Sequence, residues 1–255
     1  MGKDLGSGNV ITAQIAYHLE NGDKMDAPVV SSAGVLGVHA GGTATNIVES
    51  GGLVVVDDGA TVTFKPTVFA DLTLSSASNL GAAIHTATVH SGTTANRTTL
   101  SAGYYLNVYN GGQANSTMVK QFCHLEVYNG GVANSTTVDN LAVLRVLNGG
   151  EANDNFLEPL GSLCVSNGGQ ANRTSGGFVY VSVGGAVTDT TVDSFLFVHA
   201  SAAATSTTIK TGSAVVDGDA YDTTISGGSM EVFSGAKAFR TTVSGGFLED
   251  RKSVV

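Results

Sequence analysis

The stretch Val108–Val138, VYNGGQANSTMVKQFCHLEVYNGGVANSTTV, states nearly the same pattern twice, 19 residues apart. The pattern continues on both sides, because an asparagine followed by two glycines recurs at intervals of 19 and an alanine keeps the same register. A catalytic site needs one such constellation, whereas stacked structural units need many copies. A fixed period of this size is typical of a stacked-repeat architecture. The recurring positions are Asn110, Asn129, Asn148 and Asn167, with Ala95, Ala114, Ala133, Ala152 and Ala171.

One repeat unit contains the signals of two short strands and of sharp corners. Leu125–Tyr128 alternates apolar and polar residues, which predicts a strand with one buried face. Asn129–Gly131 is a strong turn signal, because Asn and Gly tolerate a positive φ. Ala133 is expected to point inward, and Thr136–Val138 is a second run of β-prone residues. Such a unit cannot bury its apolar face alone and must stack on its neighbours.

Stacking in register places identical residues above one another and defines the fold. We predict an all-β chain, a single-stranded right-handed parallel β-helix (β-solenoid) built from 16–19-residue coils. Roughly 11 coils between Val35 and Val243, at about 4.8 Å each, give a length near 50 Å. The corner asparagines of the Asn-Gly-Gly motif are expected to form an amide ladder along the axis. The expected inner columns are Leu106, Leu125, Leu144 and Leu163, and Val108, Val127, Val146 and Val165.

Three segments depart from the repeat. Residues 1–33 precede it and are predicted to be an N-terminal cap or linker, with a short helix indicated by the spacing of Ile11, Ile15 and Leu19. Phe64–Ala87 has no clean unit and is expected to be a loop or an irregular coil. Residues 34–249 then form the solenoid domain. The tail Asp250–Val255 has the pattern of a translated cloning adapter and is predicted to be non-native.

Composition and charge restrict the classes of function. The chain of 255 residues contains 34 glycines, only 12 Lys plus Arg, and a net charge of −9. Nucleic-acid binding needs clustered basic residues, so no nucleic-acid partner is expected. The sequence has no run of about 18 apolar residues and therefore predicts no membrane-spanning helix. Its N-terminus also has no secretory signal as written. We therefore interpret the chain as a fragment of a longer precursor.

The sequence offers no conventional catalytic, cofactor or metal motif. Cys123 and Cys164 are two coils apart, too far for a disulfide whose Cα atoms must lie within about 7 Å, so we expect two isolated thiols. Asp139 and Glu158 follow the aliphatic residue of neighbouring coils, with Lys120 one coil earlier. These three residues suggest either an acid/base cluster or, as we favour, a solvated charge ladder. The sequence predicts neither enzyme activity nor a cofactor.

Two surface features are candidate sites. His90, Tyr109 and Tyr128 occupy the outward position after the inner valine of adjacent coils, which suits contact with carbohydrate or protein. Stacking between neighbouring coils without any ligand is the alternative interpretation. Four N-glycosylation sequons also occur, at Asn96, Asn115, Asn134 and Asn172. All four lie at the same position of the repeat, so the repeat pattern alone accounts for them.

Over roughly Val35–Gly246, the units of the form NGGxANSTTV…LxVxNGG resemble the AIDA-type repeats of autotransporter adhesins from Gram-negative bacteria. The resemblance implies a β-helical passenger displayed on the cell surface as part of a larger outer-membrane-anchored precursor. It also implies adhesion, autoaggregation or biofilm formation through contact with host-cell or sister-cell receptors, carbohydrate among them. The chain itself is not expected to span a membrane. The spacing after Ala171 drifts and matches the family less well.

The resemblance further implies a heptosyltransferase as a partner, since Ser and Thr of such repeats carry heptoses in some members. Carried over by position, the candidate acceptors are Thr98, Thr99, Ser116, Thr117, Ser135, Thr136, Thr137, Thr191, Thr208, Thr224 and Thr242. Two other functions stay open at this point. A polysaccharide-acting β-helix enzyme or phage tail-spike segment would need clustered Asp, Glu and Arg. A purely structural surface stalk would need no ligand.

Overall fold

The computed structural model describes residues 2–13, 15–75 and 85–251, and in these residues every regular element is a β-strand. Nine strands form an N-terminal part, here called the N-stack. In chain order they are β1 (Asp4–Ser7), β2 (Val10–Ile11), β3 (Ala16–Leu19), β4 (Lys24–Asp26), β5 (Val29–Ser31), β6 (Val35–Val38), β7 (Thr43–Ser50), β8 (Leu53–Val56) and β9 (Thr61–Phe64).

The remaining 25 strands form one continuous sheet system, here called the C-stack. Its first strands are β10 (Thr67–Ala70), β11 (Thr73–Leu74), β12 (Thr86–Val89), β13 (Thr93–Asn96), β14 (Thr99–Leu100), β15 (Tyr105–Val108), β16 (Gln113–Asn115), β17 (Met118–Val119), β18 (His124–Val127), β19 (Val132–Asn134), β20 (Thr137–Val138), β21 (Val143–Val146) and β22 (Glu151–Val165). The others are β23 (Gln170–Val181), β24 (Ala186–Thr188), β25 (Thr191–Val198), β26 (Ala203–Thr205), β27 (Thr208–Ile209), β28 (Ser213–Val216), β29 (Asp219–Tyr221), β30 (Thr224–Ile225), β31 (Ser229–Phe233), β32 (Lys237–Phe239), β33 (Thr242–Val243) and β34 (Phe247–Arg251).

Each coil has three strands, which we call a, b and c, and three corners. In one coil these strands are β15, β16 and β17, and each pairs in parallel with the equivalent strand of the next coil. The partners are identical positions of the repeat, such as Leu106 with Leu125 and Ala114 with Ala133. The predicted parallel β-solenoid is therefore confirmed, with about 13 turns of roughly 19 residues.

Inward positions hold aliphatic residues of fixed size, and this repetition sets the coil. The predicted inner leucine and valine columns are fully buried, and so are the alanines that follow the Asn-Gly-Gly corner. Burial of a leucine or valine stabilises the fold by about 1.5–3 kcal/mol. The stacked columns therefore supply the main driving force of the C-stack.

The short helix predicted near the N-terminus is wrong. Ile11 ends β2 and Leu19 ends β3, and both side chains are fully buried in the N-stack core. β1–β5 pair in parallel with strands of the following coil, as the later coils do. A helical spacing of three apolar residues arises here because each lies in a different strand or corner. The division into cap, solenoid and tail stays a prediction.

The amide ladder is present, but the sequence prediction chose the wrong asparagines. The corner residues Asn110, Asn129 and Asn148 do not form it. The ladder runs through the second asparagine of the unit, on the b strand, with side-chain bonds of 2.9–3.2 Å from each Nδ2 to the Oδ1 one coil earlier. Its members are Asn96, Asn115, Asn134, Asn153 and Asn172. These amides hydrogen-bond to one another within the stack. This structural role explains, without any glycan, why the asparagine of the sequons recurs at one position of the repeat.

The corner asparagines interlock with glycines instead. Gly130 has a φ of +71°, and a Cβ placed on it would lie 2.3 Å from Oδ1 of Asn110. Gly149 stands in the same relation to Asn129. The first glycine of each corner is therefore required twice, once for its left-handed backbone and once for the space that the previous asparagine occupies. Because this contact recurs from coil to coil, it explains why the Asn-Gly-Gly motif is repeated.

The two stacks have separate hydrophobic cores and separate sheets. β8 is the last a strand of the N-stack, and β12 is the first a strand of the C-stack. After β9 the chain enters β10 directly through Lys65 and Pro66, without a c strand. Phe64–Ala87, predicted as a loop or irregular coil, therefore contains regular b and c strands, β10 and β11, that pair with β13 and β14. Residues 76–84 lie outside the described residues.

A fully buried carboxylate bridges the gap between the stacks, which we call the seam. Glu49 is aligned with Val30, so it occupies an inward c-strand position. Its Oε2 accepts the backbone N–H of His90 at 2.7 Å, and its Oε1 accepts the Thr88 hydroxyl at 2.9 Å. The Thr88 Oγ1 in turn accepts the backbone N–H of Val54 at 3.0 Å. At the seam, side-chain oxygens therefore accept hydrogen bonds from backbone N–H groups, whereas in the regular coils backbone carbonyls accept them.

Candidate functional site

The predicted stripe of outward aromatic residues exists as a continuous stack of rings. The ring of His90 lies 4.7 Å from that of Tyr109, and Tyr109 lies 4.6 Å from Tyr128, with interplanar angles of 13° and 23°. Phe64 extends the stack on the other side, 4.6 Å from His90. Because the rings stack face to face, each covers its neighbour's face and presents mainly its edge to solvent. The stripe therefore contributes stacking energy between coils, whatever else it contacts.

The stripe borders a cleft of about 670 Å³ between the two stacks, here called the elbow cleft. One wall is β8, whose Val55 and Val56 side chains are partly exposed. The other wall carries the stripe residues, the aliphatic side chain of Leu147 and three corner asparagines. Its volume falls within the range of known ligand clefts, and it is open to solvent along one side. The lining residues are Leu53, Val54, Val55, Val56, His90, Tyr109, Asn110, Tyr128, Asn129, Leu147 and Asn148.

Tyr128 ends the aromatic stack beside Leu147. Its hydroxyl donates a 2.8 Å hydrogen bond to Glu126, which also pairs with Arg145 at 3.1 Å. Partial burial, and then the bond to the Glu126 carboxylate, raise the pKa of Tyr128. The phenol therefore stays neutral across the physiological range. The aromatic stack ends at Tyr128, because the next coil has Leu147 at this position.

The candidate acceptor hydroxyls separate into three groups by burial. Thr98, Thr117 and Thr136 point into the core and are buried, so no enzyme reaches them in the folded chain. Thr99, Thr137, Thr191, Thr208 and Thr224 are half-buried on the outer side of c strands, and Thr242 is exposed there. Ser116 and Ser135 are exposed at the corner between the b and c strands. Accessibility therefore favours the two serines and Thr242.

The corner between the b and c strands has a conformation that the sequence analysis missed. One residue per coil adopts a left-handed backbone there, with φ between +48° and +58° along ten successive coils. These residues are Asp, Arg or Ser rather than Gly. Asp tolerates this region, and each such residue projects from the coil. We call this column the corner ridge: Asp71, Arg97, Ser116, Ser135, Asp154, Arg173, Asp189, Ser206, Asp222 and Arg240. A polar residue two places after the inward alanine is the signal in the sequence.

The carboxylate cluster behaves as a charge ladder at the corner between the c and a strands. Nζ of Lys120 lies 3.1 Å from Asp139, and both side chains are partly exposed. Gln121, Asn140 and Glu158 complete the lining of a shallow groove of about 480 Å³. The structure thus brings the three predicted residues together on adjacent coils. An exposed pair of this kind contributes only about 0–1 kcal/mol to stability.

A chain of hydrogen bonds on the outside of the N-stack was also missed. Nδ1 of His39 lies 2.7 Å from Asp57, and its Nε2 lies 3.0 Å from Nδ1 of His18. The bond to Asp57 raises the pKa of His39. The sequence did not reveal the pair, because residues 1–33, which contain His18, were predicted to be a cap or linker. Extending the repeat pattern from β6 toward the N-terminus would have placed His18 in the preceding coil.

Both cysteines are free in the structure, as predicted. Burial raises the pKa of the Cys164 thiol, which lowers its reactivity. Among residues 2–13, 15–75 and 85–251, no group of three or more His, Cys, Asp or Glu residues is placed to hold a metal ion. No helix with the length and apolar content of a membrane-spanning segment occurs in that same part of the chain.

Comparison with known proteins shows a likeness among solved structures. No family model matches this chain, and no curated protein matches it significantly. Among solved structures, the chain is similar to the crystal structure of a TibC-catalysed hyper-glycosylated TibA55-350 fragment. The TM-score is 0.65 and the sequence identity is 26%, over 97% of this chain and 82% of that chain. The likeness supports an AIDA-like β-helix and is consistent with a β-helix surface domain.

Proposed function

We propose that this chain is the passenger segment of a surface-displayed autotransporter adhesin, anchored to the outer membrane by a larger precursor. The observation that carries the proposal is the likeness to the TibA fragment along 97% of the chain, together with the repeat signature. A solenoid offers a long surface on which many weak contacts act together, so avidity replaces a single tight site. A net charge of −9 with few basic residues suits an extracellular polar surface.

The elbow cleft is the proposed contact region for a receptor. It combines the Tyr128 ring, the partly exposed Val55 and Val56, and the corner amides. Amide groups supply donors and acceptors for hydroxyl groups, and the apolar patches exclude water around them. This supports a carbohydrate or an extended polar chain as the receptor group. His90 and Tyr109 mainly hold Tyr128 in place through their stacked rings.

Modification by a glycosyltransferase is the second part of the proposal. The TibA fragment is described as hyper-glycosylated by TibC. In this chain the exposed corner hydroxyls of Ser116, Ser135 and Ser206 are the accessible counterparts of a repeat acceptor, with Thr242 as an exposed strand position. The buried Thr98, Thr117 and Thr136 are expected to stay unmodified. Mass spectrometry after co-expression with a heptosyltransferase tests this order of sites.

Display on a bacterium that neither adheres nor aggregates tests the adhesin proposal. The chain is fused to an unrelated surface anchor, and the anchor alone is the control. We expect the displaying cells to settle faster or to bind host epithelial cells. A matched pair of variants, Tyr128→Ala and Tyr180→Ala, separates the elbow cleft from an exposed tyrosine elsewhere on the surface. Behaviour identical to the anchor alone would favour the stalk, and cleavage of a polysaccharide would favour the enzyme.

A further inference from the structure

We propose that the corner between the c and a strands of three C-stack coils binds an extended peptide segment of a partner protein, one that carries a lysine or arginine flanked by apolar side chains. The corner lies along the part of the chain from β17 to β22. This inference goes beyond the proposed function, because it assigns a second binding surface and the chemistry of its ligand. It concerns the purified chain, so it does not depend on surface display.

Three exposed apolar side chains form a row at this corner, here called the apolar ridge: Phe122, Leu141 and Leu160. They occupy the same position of successive coils and are 62%, 47% and 50% exposed. The backbone N–H of Phe122 donates to the carbonyl of Leu141 at 3.2 Å, and the N–H of Leu141 donates to the carbonyl of Leu160 at 3.0 Å. These bonds fix the corner, so the ridge is formed before any ligand arrives. An exposed apolar row of this kind is typical of an interaction site.

Two residues of the apolar ridge hold a backbone conformation that their side chains disfavour. The φ of Phe122 is +63° and that of Leu141 is +61°. One coil earlier the same position is Gly103, which has a φ of +75° and adopts this region freely. A Cβ placed on Gly103 would meet nothing within 4 Å, so the corner is open there. The coil therefore accepts glycine at this position, and a strained, exposed bulky residue in its place points to a role other than folding.

A second apolar rim lies on the other side of the shallow groove. Met118 and Phe156 are paired with Thr137 on the c strands and are 38% and 49% exposed. Their side chains share a face with the charged groove residues, which follow two places later in each coil. The groove of about 480 Å³ thus has a polar lining between two apolar rims. An extended peptide fits this cross-section, because its successive side chains point to opposite sides of a polar backbone.

The charges of the groove favour a basic ligand. Lys120 pairs with Asp139 at 3.1 Å, whereas the Glu158 carboxylate has no ion-pair partner within the part of the chain that the structure describes. Oδ1 of Asn140 accepts the backbone N–H of Leu160 at 2.9 Å, which leaves its Nδ2 to donate to a main-chain carbonyl of the ligand. A cationic side chain of the peptide therefore finds its counter-charge at Glu158. Such complementarity selects the partner more than it adds affinity.

The size of the groove sets the length of the segment that it binds. Three coils about 4.8 Å apart span roughly 10 Å, which matches about three residues of an extended chain. The probe is therefore a short peptide with blocked ends, in which one arginine is flanked on each side by leucine and phenylalanine. Two control peptides carry glutamate in place of the arginine, or serine in place of every apolar residue. Binding to the complete chain is followed by NMR titration of its methyl groups, which detects weak complexes.

Variants of the complete chain separate binding from folding. In Phe122→Gly and Leu141→Gly, glycine relieves the left-handed backbone, so the midpoint of urea unfolding should stay the same or rise. The same variants should weaken binding of the arginine peptide by about tenfold or more, as expected when an apolar contact at the centre of a site is lost. Glu158→Gln should reduce the preference for arginine over glutamate. Val183→Ser, at an apolar residue 54% exposed on another corner, is the control and should bind as wild type does.

We expect the arginine peptide to shift the methyl signals of Met118, Leu141 and Leu160 and to bind about tenfold more tightly than either control peptide. Equal binding of the three peptides, or no shift at these methyl groups, would overturn the proposal. A lower urea midpoint in both glycine variants would also overturn it, because the apolar ridge would then be a stabilising contact between coils. The adhesin proposal is judged separately, since cells that adhere while the purified chain ignores the peptide refute only this site. A chain that binds the peptide on cells that behave like the anchor alone refutes only the adhesin proposal.

Discussion

The N-stack and the C-stack use the same three-strand coil, yet their sheets do not join. In the C-stack every b strand from β13 onward pairs with the equivalent strand one coil earlier, and the Asn ladder continues across five coils. At the seam the c strand is absent and Glu49 occupies an aliphatic position. A repeat therefore determines what is stacked, and departures from it determine where a stack ends and where a concave surface forms.

The difference between the two stacks also determines which kinds of surface the molecule presents. The elbow cleft exists because β8 leaves the column that β12 begins, so Val55 and Val56 lose the neighbours that would have covered them. The regular C-stack offers the opposite kind of surface, a straight ridge with one side chain per coil. The following predictions test how separate the two stacks are.

Replacement of Glu49 should have the largest effect. Glu49→Ala leaves the His90 N–H, the His90 ring and the Thr88 hydroxyl without their acceptor, and unpaired buried groups cost about 1–3 kcal/mol each. We expect hydrogen-exchange protection of the strands at the seam, β7, β8 and β12, to fall by about 4 kcal/mol, with protection around β15–β21 unchanged. The exposed Glu151→Ala is the control, expected within about 0.5 kcal/mol of wild type. An equal loss of protection in both stacks would show that they form one cooperative unit.

Within the C-stack, the corner interlock predicts a difference between two glycines of similar backbone. Gly130 and Gly103 have φ values of +71° and +75°, but only Gly130 lies against an asparagine side chain. Alanine in this region costs about 1–2 kcal/mol at either position. At Gly130 the contact with Asn110 adds about 1–3 kcal/mol. Urea unfolding followed by circular dichroism checks the difference, and equal destabilisation would remove the interlock from the account.

The position of the amide ladder is tested by two asparagines of the same coil. Asn134 donates to Asn115 and accepts from Asn153, whereas Asn129 lies at the corner. Asn134→Ala should lower the free energy of unfolding by about 1–2 kcal/mol, the value of two side-chain hydrogen bonds. Asn129→Ala should have a smaller effect, within about 0.5 kcal/mol. The reverse order in urea unfolding would restore the ladder predicted from the sequence.

The smallest expected effect is on the titration of two histidines, whose pKa values are shifted in opposite directions in the two stacks. The Asp57 carboxylate raises the pKa of His39 above 6.5, whereas burial and then Arg145 lower the pKa of His124 below 6.5. The contribution of protonated His39 to stability is full below its unfolded pKa and is lost as pH rises through the folded pKa. NMR titration should separate the two histidines in opposite directions. Asp57→Asn should lower the pKa of His39 alone, and no change would contradict the pairing.

Much of the fold follows from the sequence, because period, inner columns and corner glycines all depend on positions that recur. Leu125, Val127 and Ala133 were assigned correctly since alternation and turn chemistry agree within each unit. The ladder was misplaced because both asparagines of a unit recur equally, and only the side-chain direction on a strand distinguishes them. The helix at Ile11–Leu19 was wrong because a three- or four-residue spacing also arises across a corner.

The candidate surfaces were predicted less completely, because they depend on contacts between coils that do not match. His90, Tyr109 and Tyr128 were found from their shared position, but the wall formed by Val55 and Val56 was not. Glu49 looks like an ordinary surface residue in the sequence, since nothing near it in the chain signals that a c strand is missing. The corner ridge recurs with the period, but its left-handed backbone shows only in three dimensions.

Intact cells of the source organism provide the test of surface display. Antibodies raised against the purified chain are applied before and after brief protease treatment, with an internal protein as the control. We expect the antibodies to label unbroken cells and the protease to remove the label while the internal protein survives. Labelling that needs broken cells, or that resists protease until cells are opened, would contradict display and with it the adhesin proposal.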